Sequence, residues 1–353
     1  MISYPETKRF RSVIKTVTWQ RPSDPSAGYP VLKFVGTVKL HGTNAAISYQ
    51  KDRGYWLQSR SKIITPLKDN LGFAQTMDPL AKEFFFDRIL LDHPTIREYY
   101  ERGCSIVIYG EWCGGNIQNN VAIYGLPKMF VIFKVRIVDT TAAIEGNELV
   151  DQDVESEQET DSNNIKFWLE PNQWSDIRWS ERSIYNIFDF PTYDIEIDFN
   201  QPDLSQNRLA EITEAVEQQC PVGAYFNKQG IGEGVVWTEW AQSRGRLAFK
   251  VKGFKHSVSK AQTLAAVDIE KLTSLNEFVD YACTENRMAQ GLDYLREQQV
   301  EVKLKNISTF LQWLFADIMK EENDTIQESN IDIQAARRAI SEKARQWFMK
   351  QIS

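Results

Sequence analysis

The stretch VGTVKLHGTNAAI, residues 35 to 47, decides how this chain is read. Val35, Val38, Leu40, Ala45, Ala46 and Ile47 give it the character of a buried strand, yet Lys39 stands in its middle and the polar, turn-like tetrad HGTN follows at once. An ammonium in such surroundings is disfavoured, so its pKa should fall and a neutral, nucleophilic amine should become accessible. Taken alone, the segment better suits a lysine on an edge strand whose head reaches water.

Working outward, VLKFVGTVKL (31–40), AAISYQ (45–50) and GYWLQSRSK (54–62) read as strands, the last two joined by the hairpin signal KDRG, which predicts antiparallel sheet. DPLAKEFFFDRILLDHPTIREYYERG (78–103) carries helix-spaced apolar groups, split at Pro94 into two helices and stopped at Gly103. CSIVIYGEW (104–112) and KMFVIFKVRIV (128–138) are dense enough in Val, Ile and Phe to be strands buried on both faces. The stretch from about 139 to 205, most acidic in DQDVESEQETDSNN (151–164), is expected as an exposed insertion outside any site. Strands resume in GVVWTEW (234–240) and GRLAFKVKGF (245–254).

From about residue 260 the period changes. Ile307, Phe310, Leu311, Leu314, Phe315 and Ile318 follow helical spacing, and AARRAISEKARQWFMKQI (335–352) is a further amphipathic helix. The expected organisation is a sheet domain over 1–258 and an all-helical domain over 259–353.

Composition narrows the function classes. The chain has 353 residues with 42% hydrophobic and 25% charged positions, which is the make-up of a soluble globular protein with material for more than one domain. No apolar run is long enough to span a bilayer and the first residues do not read as a secretion signal, so an intracellular, cytoplasmic protein with no membrane partner is expected. Cys104, Cys113, Cys220 and Cys283 are widely spaced, which suits reduced thiols rather than a disulfide frame. With only three histidines a His-based metal centre is not expected. The net charge of −7 argues against a globally basic nucleic-acid coat but leaves room for a local basic groove.

Further polar residues recur at strand ends. Arg60 lies on a strand in LQSRSK, Glu111 precedes glycines in YGEWCGG, and Glu233 stands at a glycine-flanked strand start in GIGEGVVW. Lys250 and Lys252 in AFKVKGF are two apart and so project from one face of a strand. Two adjacent cations repel, at a cost of up to about 1 kcal/mol on a sheet, unless an anion lies between them; a nucleotide phosphate is such an anion. Singly, each residue has a plainer reading. The two glutamates suit surface turns, Arg60 an ion pair, His41 a structural turn, and Phe130 the core.

Together, KLHGTNAAI, SRSK, YGEW, FVIF, EGVV and FKVK, in that order over residues 34 to 256, resemble the motifs of covalent nucleotidyltransferases. The K-x-H-G-T-N form is similar to that of the RNA ligase 2 group of ATP-dependent RNA ligases, which includes phage RNA ligases and RNA-editing ligases. The resemblance implies an α+β fold, a nucleotidyltransferase domain of ATP-grasp-like antiparallel sheets followed by a small helical C-terminal domain. It implies that Lys39 attacks the α-phosphorus of ATP to form a lysyl-AMP, that the adenylate passes to an RNA 5'-phosphate, and that a 3'-hydroxyl then seals the ends in RNA repair. It assigns Lys250 and Lys252 to the α-phosphate, Glu111 and Glu233 to Mg²⁺ (Mn²⁺ also serving), and Asn44 and Arg60 to ribose or phosphate. Leu40 joins the nucleotide site, His41 assists departure of pyrophosphate or sealing, and Phe130 stacks on adenine, with Phe133 as the substitute.

Lys134 departs from the pattern, standing where many relatives carry an acid. The implied partner is RNA with 3'-hydroxyl and 5'-phosphate ends, taken to be a nicked duplex, acted on by a monomer. The helical part suits a folding accessory with a packed apolar seam, or else a grip on RNA in which Lys303, Lys305, Arg337, Arg338, Lys343, Arg345 and Lys350 contact phosphates. A DNA ligase or a capping guanylyltransferase shares the lysine chemistry, but those relatives usually carry K-x-D-G and an OB-fold tail. A catalytically silent nucleic-acid-binding module is the alternative from another class.

Overall fold

The computed structural model describes residues 1–19, 28–139, 166–260, 263–268 and 271–352. Its strands are β1 (Lys8–Arg9), β2 (Val31–Lys39), β3 (Thr43–Gln50), β4 (Gly54–Ser59), β5 (Ile63–Ile64), β6 (Ser105–Cys113), β7 (Met129–Val138), β8 (Lys166–Trp168), β9 (Ile184–Asn186), β10 (Thr192–Asp198), β11 (Gly234–Glu239) and β12 (Ala248–Lys252). They form two sheets. One has the order β1-β12-β11-β2-β10; the other runs β5-β4-β3-β6-β7-β8, with β9 paired to β7. Pairing is antiparallel, as expected, except for the short parallel contacts β1–β12 and β7–β9.

The reasons are local. In β2, Leu32, Phe34 and Val38 alternate into the core, and Gly36 takes the same face because a side chain there would meet the Trp237 ring 2.7 Å away. Strands β6 and β7 are buried almost throughout, as their apolar density requires. The hairpin between β3 and β4 turns through Lys51–Arg53 onto Gly54 at φ +82°. Pro94 opens the helix Pro94–Glu101 at its first position, where the missing N–H costs nothing. The preceding helical stretch starts earlier than the sequence suggested, at Phe73, because buried Phe73, Ala74 and Met77 extend the apolar face.

The acidic region differs from the expectation of an appended insertion. DQDVESEQETDSNN lies outside the described residues, but the part from Lys166 onward belongs to the fold. Strand β10 pairs with β2 along seven residues, from Thr192 opposite Thr37 to Asp198 opposite Val31. Its acids face outward while Ile195 and Ile197 alternate inward, so charge masked a period-two strand.

Beyond the sheets come the helices Leu275–Ala282, Glu285–Glu297, Ile307–Glu321, Asn323–Glu328 and Ile333–Ile352. They enclose their own core, in which Phe310, Leu314 and Ile318 meet Leu295, Ile340 and Phe348. Among the described residues no helix is long and apolar enough to cross a membrane.

Candidate active site

Strand register assembles the site. Lys39 at the end of β2 pairs with Gly234 of β11, and Gly234 pairs with Lys252 of β12, so the two lysines flank one glycine in a single row. One step back, Lys250 pairs with Val236, and Val236 with Thr37, on the same face. Gly234, at φ +151°, has no room for a side chain against the Val251 carbonyl.

Glu233 completes the row. Its carboxylate, buried to 1% side-chain exposure, takes Lys39 Nζ on Oε2 at 2.8 Å and Lys252 Nζ on Oε1 at 2.9 Å, while His41 Nδ1 lies 3.3 Å from Oε2. Burial alone would raise Glu233, but Lys252, Lys39 and His41 outweigh it and hold the carboxyl well below its usual range. Burial likewise works against the Lys39 ammonium, yet Glu233 and then Glu111 prevail and hold it above the ordinary lysine range. This corrects the sequence expectation of a lowered Lys39. The apolar neighbours in the chain were visible; the carboxylate 194 residues away, just before β11, was not. Lys252 is lowered, first by burial and then by the repulsion of Lys39 and Lys250, against the pull of Glu233.

The second sheet supplies the opposite wall. Asn44 of β3 pairs with Glu111 of β6, and Gly42 sits close enough to Trp112 for its N–H to donate to Glu111 Oε1 at 3.0 Å. Burial pushes Glu111 up to about 7, with Lys39 offsetting only part of that and Glu233 adding like charge. Leu40 is buried and its carbonyl lies 3.5 Å from Lys39 Nζ. Arg60 falls one residue beyond β4, exposed, rather than on the strand.

The helical part reaches this site. Glu321 accepts from Lys250 at 3.2 Å, and Glu297 accepts from the Thr43 hydroxyl, next to Gly42, at 3.0 Å. The repulsion expected between Lys250 and Lys252 is therefore met by two carboxylates, Glu321 for one and Glu233 for the other.

The family model described as RNA ligase matches residues 32–252. The chain belongs to the RNA ligase family. Among solved structures it is similar to Naegleria gruberi RNA ligase in three forms. A lysine-to-methionine mutant with AMP and Mn has 14% identity and a TM-score of 0.41, covering 72% of this chain and 56% of that one. A lysine-to-alanine mutant with ATP and Mn has 15% identity and a TM-score of 0.39, covering 72% and 57%. The ligase with PPi has 16% identity and a TM-score of 0.40, covering 72% and 56%. The chain thus spans little more than half the length of those ligases. No curated protein matches it.

Within this RNA ligase family member, the two phenylalanines of FVIF fall on opposite faces of β7. Phe130 pairs with Trp112, is fully buried, and packs against Phe73 with ring centroids 5.1 Å apart. It points away from Glu111, because Trp112 and Glu111 are neighbours on β6. Phe133 lies on the Glu111 side, half-buried, 5.0 Å from the Tyr4 ring. A β-bulge places both Phe133 and Lys134 there, with Lys134 donating to the Gly245 carbonyl at 2.7 Å and lying 4.2 Å from the Trp168 ring. Of the two, Phe133 is the one on the Glu111 face of the sheet. Phe133→Ala is expected to raise the KM for ATP about tenfold through lost base stacking, whereas Phe130→Ala should chiefly lower stability, by about 3–5 kcal/mol. Steady-state kinetics and denaturant melts on both variants separate the two roles.

Among the described residues no three metal-ligating side chains converge. The described residues therefore offer no closed cage, and an ion there would be held jointly with phosphates, as Mg²⁺ commonly is. Glu111 fits that task, because burial leaves its carboxyl short of cationic compensation. Glu233 has both oxygens committed to lysines.

Sequence reasoning passed over Glu297, Glu321 and Tyr4. Only tertiary packing brings the first two to the site. The signal for the third was its aromatic ring in the opening segment MISYPETK, and it packs against Phe133, Tyr109 and Trp168.

Proposed function

We propose that this protein is an ATP-dependent RNA ligase that joins 3'-hydroxyl and 5'-phosphate RNA ends through a lysyl-AMP on Lys39 and an RNA-adenylate, in RNA repair. The observation that carries the reading is the shared Glu233 carboxylate, which sets the nucleophilic candidate Lys39 and the phosphate-binding candidate Lys252 side by side.

In the first step the Lys39 ammonium loses one proton to solvent, the free amine forms a bond from Nζ to the α-phosphorus as the bond to the bridging oxygen breaks, pyrophosphate leaves, and the nitrogen gives up a second proton to solvent. Lys39 is held as an ammonium here, so the arriving nucleotide must first loosen its pair with Glu233. Phosphate oxygens also compete for Lys252 and Lys250, which exchange Glu233 and Glu321 for the triphosphate and offset charge developing on it. A divalent ion, Mg²⁺ or Mn²⁺, supplies further charge neutralisation next to Glu111 when bound. His41, against Glu233 and 5.3 Å from the His256 ring, stands where a leaving group or an incoming end passes.

In the later steps the RNA 5'-phosphate takes the adenylyl group from Lys39, and the 3'-hydroxyl then displaces AMP. Asn44 and Arg60 serve ribose or phosphate. Incubation with Mg²⁺ and RNA bearing both kinds of end should give joined product with ATP and none with GTP; joining with GTP, or sealing of DNA ends alone, contradicts the reading.

A further inference from the structure

We propose that the contact joining the segment Glu6–Lys15 to the run Glu321–Asp324 is a clasp released by the terminal phosphates of ATP, which enter the adjoining cavity and take Lys250, Arg9 and Arg11 from their carboxylates. This rests on the RNA-ligase reading above.

The clasp is built around one carboxylate. Glu322 is fully buried and takes Arg9 on both oxygens, at 2.7 and 3.0 Å, and Arg287 at 2.8 Å, with Arg11 3.5 Å away. Its neighbours extend it. Asp324 holds Arg11 at 2.9 Å and Lys15 at 3.4 Å, and Lys320 pairs with Glu6. Glu321 takes Arg9 on one oxygen at 2.8 Å and Lys250 on the other at 3.2 Å. The helical part is thus fastened to the sheet through the same carboxylate that occupies a phosphate-binding candidate.

Three observations point to phosphate as the competitor. First, β1 pairs with β12 so that Arg9 lies beside Lys250. Across the sheet the order is Lys39 on β2, then Lys252 and Lys250 on β12, then Arg9 on β1 at the edge. A leaving group in an in-line displacement departs on the side away from the attacking atom, so with Lys39 as the amine the terminal phosphates extend towards Arg9. Second, there is room for them. A cavity of about 340 Å³ is lined by Arg9, Arg11, Lys250 and Lys252 together with Asp268, Asp317 and Glu321, and withdrawal of Glu321 raises its excess of cations. Third, Arg11, only 6% exposed, has a buried Nε without a hydrogen-bond partner. A buried donor left unpaired is costly, and a phosphate oxygen supplies its acceptor. Coupling of this kind is reciprocal: a clasp that ATP loosens must itself oppose ATP, by the same factor.

The test uses the full chain and the α,β-methylene analogue of ATP, whose carbon bridge at the α-phosphorus prevents transfer. Hydrogen–deuterium exchange of the backbone amides of Asn323–Glu328 should speed up about fivefold with the analogue and stay unchanged with AMP, which lacks the terminal phosphates. Asp324→Lys, which sets a cation against Arg11 and Lys15, should speed exchange without ligand and tighten binding of the analogue, measured by calorimetry, about fivefold. Lys15→Glu sets an acid against Asp324 on the exposed side of the clasp and should tighten it about twofold. Attraction by charge alone predicts weaker binding there, since this variant adds negative charge. Exchange that ignores the analogue, unchanged affinity in Asp324→Lys, or weaker binding in Lys15→Glu overturns the proposal. Transfer of label from α-labelled ATP to the unaltered protein is read separately. Its absence counts against the ligase reading, whereas the results with the inert analogue judge the clasp.

Discussion

Glu233→Ala should cost this protein both stability and nearly all of its nucleotide transfer. Removing the carboxylate leaves Lys39 and Lys252 side by side, largely buried, with the counter-ion of both gone. Breaking a buried pair in this way costs about 3–5 kcal/mol, because charge is left without compensation. The transfer rate should fall by roughly 10²–10³, the loss seen when a preorganised polar group at a reacting centre is removed. Glu233→Gln keeps the shape and one acceptor, so it should recover much of the stability and little of the rate. Both variants should also move the acid limb of the pH profile to lower pH, since the chief cause of the raised Lys39 is gone. Wild-type melting and wild-type rates in Glu233→Ala would show that the shared carboxylate is incidental.

Glu111→Gln should do the reverse for stability. Burial raises Glu111 to about 7 from its ordinary 4.5. The folded protein therefore keeps the Glu111 proton to higher pH than the unfolded chain does. The contribution of this group is full below pH 4.5, falls as pH rises towards 7, and stays low above it. Integrated over that interval, ionised Glu111 destabilises the fold by roughly 3–4 kcal/mol. The glutamine variant, which can still accept from Gly42, should thus be more stable than the parent by about that amount at pH 8 and nearly equal to it at pH 4. It should at the same time lose transfer activity, because the carboxylate placed for a cation is gone. Denaturant titrations at the two pH values decide the matter; a variant less stable at pH 8 contradicts it.

The opposed signs of these two effects reflect how a reactive centre is assembled. Glu233 is matched by cations within the protein, whereas burial leaves Glu111 only partly compensated by Lys39. A fold of ordinary stability tolerates one such unmatched group where it serves the chemistry.

The sequence made β2, β3, β6, β7, β11 and β12 legible because their apolar patterns are strong and their glycines mark real crowding, as at Gly36 and Gly234. The same periodicity placed Lys250 and Lys252 on one face. It read Lys39 as depressed because a local window shows apolar neighbours and cannot show Glu233. It named Phe130 before Phe133 because the bulge in β7, which sets the facing of both Phe133 and Lys134, has no mark in composition. Strand β10 was hidden for a different reason. An edge strand buries one face only, and acids on the other face resemble a solvated loop. The carboxylates of Glu297 and Glu321 arrive from helices more than 200 and 70 residues away from their partners, a relation that only packing creates.

If the Lys39 side chain becomes a transient nucleotide carrier, incubating the protein with ATP labelled at the α-phosphate and Mg²⁺ will place the label on it, as peptide mass spectrometry can locate. An acid-labile adenylyl group is expected on Lys39, released by added pyrophosphate and absent from Lys39→Ala. Label on another residue, or an equal yield from Lys39→Ala, would contradict it.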